Sequence, residues 1–482
     1  MDCALKCVAL LVLLGCAFSK ISASLVKDDY EHCKNTVNKW ASSSPDLEVK
    51  EEKHRLRDLL FFLHVPRTGG RTYFHCFLRK LYSSSLECPR SYDKLRFDPS
   101  KHNCRLLVTH DDYSMMSRLP MEKTSVVTIL RNPIDRVFST YEFSIEVAAR
   151  FLVHPNLTSV ARMAGRLRSK QGGVSTLDIW PWKYLVPWMR EDLFARRDAR
   201  ELQGLYSRSN DSYNMEDTVM PLHEYINDPI ARDIIHNGAT FQIAGLTNNS
   251  YIAEAHEVRR CVLKHQTLGE YVLEVAKKRL DNMLYVGLTE DHRESATMFA
   301  NVVGAQKRAR LQNITRFVDL VSIILAALQN SSTDQNASKI SAAQIINAKN
   351  EHMTVGRLME AYETCISSLR RTQKQRRTAS LKRISPANFS KEARLDVPEV
   401  VLQQIKSLNI LDMELYRYAQ SSFSKQHKQM MRQLKLQEKD IKFDDPYSAA
   451  SRNFLLFTIS IILLLLFIGL FVKRRRTLKL KL

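Results

Sequence analysis

The run Leu59-Leu60-Phe61-Phe62-Leu63 leads into His64-Val65-Pro66-Arg67-Thr68-Gly69-Gly70-Arg71-Thr72 and then into Tyr73-Phe74-His75-Cys76-Phe77-Leu78-Arg79-Lys80-Leu81. Five apolar residues without a break read as a buried strand, and the apolar residues of the last segment recur at helical spacing. The paired glycines let the backbone approach a ligand, and the N–H groups at the helix start point at anions. Arg67 and Arg71 add fixed positive charge. The corner reads as a cradle for a phosphate or sulfate group, although an ordinary strand–turn–helix corner fits these residues alone equally well. It is not a Walker loop, because G-x-x-x-x-G-K-[ST] is absent.

Working outward, Arg105-Leu106-Leu107-Val108-Thr109-His110 reads as a second strand and Ser125-Val126-Val127-Thr128-Ile129-Leu130 as a third. The third runs straight into Arg131-Asn132-Pro133-Ile134-Asp135-Arg136-Val137-Phe138-Ser139. Pro133 suits the first turn of a helix, whose apolar face continues through Ile134, Val137, Phe138, Tyr141, Ile145 and Ala148. Phe241 to Leu246 reads as a short strand, and Tyr285-Val286-Gly287-Leu288-Thr289-Glu290 as the last strand of the sheet. Strands alternating with helices make this an α/β chain, with a parallel sheet flanked by helices. Ligands of such sheets sit beyond the carboxyl ends of the strands. Arg67, His110 and Arg131 all follow strand ends, so all three can face one crevice.

The chain has 482 residues and a formal net charge of +21. Leaving out residues 1–24 and 473–482 removes eight basic and one acidic residue, so the body still carries +14. A positive body suits an anionic ligand, an acidic acceptor or an anionic surface. No zinc-finger, RNA-binding or homeodomain pattern is present, so nucleic acid is not an expected partner. Residues 1–24 read as a secretory signal, with an apolar core from Cys7 to Phe18 and small residues at Ser22-Ala23-Ser24. Phe454 to Val472 is uninterrupted by charge and long enough to cross a bilayer, and Lys473-Arg474-Arg475-Arg476 follows at once. The expected organisation is a lead-in segment at 25–58, a lumenal domain at 59–420, a stalk at 421–453, a membrane helix at 454–472 and a cytosolic tail at 473–482. An insertion is expected around 329–395, rich in Asn, Ser, Ala and Gln at 329–352.

Six cysteines remain after the signal: Cys33, Cys76, Cys88, Cys104, Cys261 and Cys365. In an oxidising compartment they permit three disulfides, in fifteen pairings. Cys88–Cys104 would close the local loop between two predicted strands and is the preferred bridge. Sequons stand at Asn156, Asn210, Asn248, Asn313, Asn330, Asn336 and Asn388 and fit a lumenal glycoprotein. Trp180, Trp182 and Trp188 form a cluster that suits either an acceptor groove or core beneath a loop. The basic run Arg370, Arg371, Lys374, Arg376, Arg377, Lys382 and Arg383 suits either a solvated, flexible segment or recognition of an acidic acceptor.

Taken in order, Pro66-Arg67-Thr68-Gly69-Gly70-Arg71-Thr72, His110, and Arg131-Asn132-Pro133 with Arg136 and Ser139 resemble the motif set of the sulfotransferases that use 3′-phosphoadenosine 5′-phosphosulfate (PAPS). They are most similar to the heparan sulfate 6-O-sulfotransferase type, over about 59–150, with looser similarity at Val286–Glu290 and Leu415-Tyr416. A signal at the N-terminus with an anchor at the C-terminus resembles instead the plant tyrosylprotein sulfotransferases. That resemblance implies a P-loop-like sulfotransferase fold in a Golgi membrane, type I, sulfating tyrosines next to acidic residues in secreted peptides. It implies that Arg67, Thr68, Gly69, Gly70, Arg71 and Thr72 hold the 5′-phosphosulfate and that Arg131 and Ser139 hold the 3′-phosphate. A phenol of pKa near 10 needs a general base, and His110, titrating near neutrality, is the candidate. Asp111 or Asp112 could orient it or cap a helix. The family's loop lysine is Arg67 here, and an arginine stabilises charge without giving up a proton. No metal-ligand cluster is evident in the sequence. The alternative activities are sulfation of a glycan hydroxyl and, in another class, a non-catalytic type I receptor.

Overall fold

The computed structural model describes residues 28–44, 55–88, 104–152, 213–214, 220–307, 354–381, 384–385, 394 and 396–443. The signal, the tryptophan cluster, residues 329–352, the segment 454–472 and every sequon except Asn248 lie outside these residues. Among the described residues no helix is long and apolar enough to cross a membrane.

Strands β1 (Leu59–Leu63), β2 (Leu106–Thr109), β3 (Thr124–Leu130) and β4 (Tyr285–Leu288) form one parallel sheet in the order β2-β1-β3-β4. Every residue of β1, β3 and β4 is buried, as expected for parallel strands covered on both faces. The chain leaves β1 for β2 on one side and returns past β1 to β3 on the other. The order therefore reverses between β1 and β3, which places the ligand crevice of such a sheet at the carboxyl ends of these two strands. Leu63 registers with Thr109 on one side and Thr128 on the other, so β1 and β2 end level and β3 runs two residues further, to Leu130.

Helices fill both sides. Among the described residues α1 (28–43) buries Val37 and Trp40, and a disulfide from Cys33 to Cys261 ties it to α5 (Ala255–Lys264). Residues 28–44 of the lead-in segment therefore pack into the core. Helix α2 (70–81) follows β1 and contains a π turn at Phe74–Leu78. Helix α3 (Pro133–Leu152) follows β3. Helix α6 (Gly269–Asn282) precedes β4, and α7 (His292–Phe299) follows it. Cys88–Cys104 forms as the sequence suggests.

The expected strand at 241–246 is instead the end of a short helix, α4 (Gly238–Ile243). All six of its residues are buried, Thr240 and Gln242 included, so it has no solvent-facing side to mark a helical period, and so short a buried run cannot be told from a buried strand. Residues 354–381, expected within an insertion, build α8 (Val355–Leu381). Its Leu358, Tyr362 and Ile366 are buried, and Cys365 bonds Cys76 in α2. Helix α9 (Glu399–Ser407) leads to α10 (Ile410–Phe443). Asp412 of α10 accepts from Arg136 Nη2 (2.8 Å) and from the backbone and hydroxyl of Thr240 (2.7 Å each), which locks α3, α4 and α10 together.

Candidate functional site

The loop after β1 is built from backbone. Arg67 has φ 68° and Gly69 φ 83°, the left-handed region that costs a side-chain-bearing residue roughly 1–2 kcal/mol. A Cβ on Gly70 would lie 2.2 Å from Cδ2 of the His64 ring, so only glycine fits there. Strain of this kind at a loop end is characteristic of ligand clamps. The amides that open α2 follow at once. Thr72 N–H closes the turn onto the Gly69 carbonyl (2.9 Å), and Arg71 is exposed beside it. The hydroxyl of Thr68, expected on the ligand, points inward instead and donates to the Val65 carbonyl (2.9 Å), so its role is to close the loop.

The loop after β3 is built from side chains. Asn132 Oδ1 accepts from the Ile134 N–H (3.0 Å) and caps α3, with Pro133 in the first turn. Its own N–H donates to Glu290 Oε1 (3.0 Å), while Glu290 Oε2 accepts from Tyr416 (2.6 Å). The Thr289 hydroxyl lies between the Thr68 carbonyl (2.8 Å) and the Leu130 carbonyl (3.0 Å). The end of β4 thus stitches the two loops to each other and to α10.

Two arginines meet between these loops. Arg67 donates from Nε (3.2 Å) and Nη2 (3.1 Å) to Ser139 Oγ and lies 4.3 Å over the Phe143 ring. Arg131 donates from Nη1 to the Arg67 carbonyl (3.3 Å), and its buried Nε has no partner among the described residues. Burial, and then repulsion from Arg131, push Arg67 down to about 10; burial also lowers Arg131. Both stay charged at neutral pH, and an anion between them would relieve the repulsion and satisfy the orphaned N–H. The third arginine of the stretch, Arg136, is 1% exposed and spent on Asp412 and the Ile234 carbonyl. It belongs to the core.

His110 follows β2. Its Nδ1 donates to the His64 carbonyl (2.8 Å), and a carbonyl can only accept, so the lone pair resides on Nε2. The ring stacks on that of His64, with centroids 4.2 Å apart and planes 28° from parallel. Titration near neutrality is not what the environment gives. Burial pushes His110 down to about 4, with the His64 carbonyl opposing and Arg67 contributing, and burial holds His64 well below its ordinary value too. The orienting group is therefore a backbone carbonyl. Asp112 caps the turn after it, accepting from Ser114 N–H (3.0 Å) and from the Thr247 N–H (2.9 Å) and hydroxyl (2.7 Å). Asp111 accepts from Thr109 (2.7 Å) and from Asn249.

His64 and Gln242 are the members of the site that motif reading misses. Gln242, 1% exposed, donates through Nε2 to the carbonyls of His110 (2.9 Å) and His64 (3.2 Å) and clamps the ends of β2 and β1. Asn248, exposed, stands on the neighbouring turn. Away from the crevice, Asp29, Cys33 and His265 come within 4.8 Å of one another. They make a poor metal site, because Cys33 is in its disulfide and Asp29 pairs with His265 (2.8 Å) and Lys264 (2.9 Å).

No family model matches the chain. The protein-tyrosine sulfotransferase of Arabidopsis thaliana is 56% identical to it over 484 aligned positions, which cover 96% of this chain and 97% of that protein. At that identity over nearly the whole of both sequences, the chain belongs to the protein-tyrosine sulfotransferases.

Proposed function

We propose that the chain transfers a sulfuryl group from PAPS to the hydroxyl of protein tyrosines, with Arg67, His110 and Arg131 carrying the reaction at the carboxyl ends of β1, β2 and β3. The observation that carries this reading is the meeting of two charged, half-buried arginines beside a neutral histidine whose lone pair is fixed on Nε2. When bound, the donor supplies the sulfuryl group and its leaving group. The amides of Gly69 and Gly70 at the head of α2, with Arg71 and Thr72, would hold its 5′-phosphosulfate. Arg131 and Ser139 suit the 3′-phosphate: one has an unsatisfied buried N–H, the other a hydroxyl already on a guanidinium.

His110 takes the phenolic proton on Nε2 as the tyrosine oxygen attacks. Arg67, with a pKa of about 10, remains a cation and offsets charge growing on the leaving oxygen. It does not deliver a proton there. Holding both partners in one crevice supplies much of the rate.

The finer reading is of tyrosines in acidic contexts of secreted peptides, acted on in the Golgi lumen by a type I protein anchored through 454–472. The positive body and the signal and anchor patterns of the sequence support it. Three disulfides among the described residues suit an oxidising compartment.

Replacing His110 tests the assignment. His110→Ala is expected to keep its affinity for adenosine 3′,5′-bisphosphate and to lose transfer by roughly 10²–10⁴-fold. Near-normal turnover would refute the role. The free-enzyme pH profile gives a second readout. A base depressed to about 4 stays in its working form as pH falls past 6.5, so kcat/KM should lose its base only near pH 4.

A further inference from the structure

The basic run at 370–377 belongs to a helix held against both walls of the donor site. In its first half, Cys365 bonds Cys76 of α2, and Tyr362 stacks on Phe77 with ring centroids 4.1 Å apart. In its second half, Arg377 lies 3.6 Å from Glu142 of α3, one turn beyond Ser139. Arg377 is also among the charges that act on Arg67. A flexible segment is therefore not what this run forms.

Arg370 and Lys374 are exposed, and among the described residues neither has an ion-pair or hydrogen-bond partner. At 100° per residue, Arg370, Lys374 and Arg377 fall within about 60° of arc on one side of α8. At about 1.5 Å per residue, Arg370 stands about 10 Å along the axis from Arg377. An extended peptide covers that distance in about three residues. A half-buried cation at the rim of the donor site is thus continued along α8 by two exposed cations at peptide spacing. Arg371 stands beside them on the outer side.

We infer that this stripe of α8 is the acceptor subsite, in which Arg370 and Lys374 engage carboxylates within about three residues of the target tyrosine. The inference rests on the tyrosine-sulfating reading above and adds where on the chain acidity is read.

The test uses the full chain in detergent, labelled PAPS, and two peptides that differ only in Asp or Asn at the three positions on either side of one tyrosine. The double variant Arg370→Glu, Lys374→Glu is expected to lose about tenfold in kcat/KM on the Asp peptide, through KM. On the Asn peptide it should match the wild type within about twofold, and its KM for PAPS should not move. Arg370→Gln, Lys374→Gln should fall between, and added salt should erase the wild-type preference for Asp. Equal loss on both peptides, or no loss on either, would overturn the subsite. If the wild-type chain labelled neither peptide, the tyrosine reading itself would fail.

Discussion

At the end of β1 the chain turns through Arg67 and Gly69 at positive φ and enters its helix at a glycine pressed against a histidine ring. At the end of β3 it turns through Asn132 and Pro133, with the asparagine side chain capping the helix. Both corners follow a buried strand, open a helix and present an arginine. The first is shaped by backbone at positive φ and has no room for a side chain at Gly70. The second is made by side chains, and it separates its two arginines: Arg131 is half-buried at the crevice with no carboxylate on it among the described residues, whereas Arg136, five residues on, is 1% exposed and paired with Asp412. The difference teaches that the same local pattern can serve ligand or core, and that the partners of each guanidinium decide which.

The largest effect expected from breaking that contrast is on stability. Arg136→Met strands Asp412 in the interior and should cost about 3–5 kcal/mol in urea unfolding, while folded molecules keep their affinity for adenosine 3′,5′-bisphosphate. Arg131→Met should do the reverse: unchanged or slightly raised stability, because burial disfavours its charge, with nucleotide binding lost. Equal behaviour of the two variants would dissolve the distinction. Gly70→Ala forces the new methyl group and the His64 ring apart, at about 1–3 kcal/mol, and should weaken nucleotide binding because the cradle must shift. The smallest effect belongs to the side-chain corner. Asn132→Ala removes the cap of α3 for about 1 kcal/mol, and calorimetry should show it with donor binding little changed.

Much of this was legible in the sequence because it is local. Unbroken apolar runs identified the buried strands, paired glycines the cradle, and Pro133 the start of α3. Cys88 and Cys104, 16 residues apart, could be paired by the loop they close, whereas Cys33–Cys261 and Cys76–Cys365 span 228 and 289 residues. Pairings of that range depend on how helices pack. Gln242 was hidden for a related reason, since a helix buried on every side has no period to read. The protonation of His110 is not legible in the sequence, because its pKa is set by burial rather than by its neighbours along the chain. Arg136 matched the motif and still belongs to the core, because its partner Asp412 lies 276 residues away.

The most direct measurement of the central claim offers the full chain labelled PAPS together with a tyrosine peptide bearing flanking aspartates and, separately, desulfated heparan. The account predicts label on the tyrosine oxygen, absent from a phenylalanine version of the peptide and lost with His110→Ala. Label on the glycan alone, or none on either acceptor with the nucleotide still bound, would contradict it.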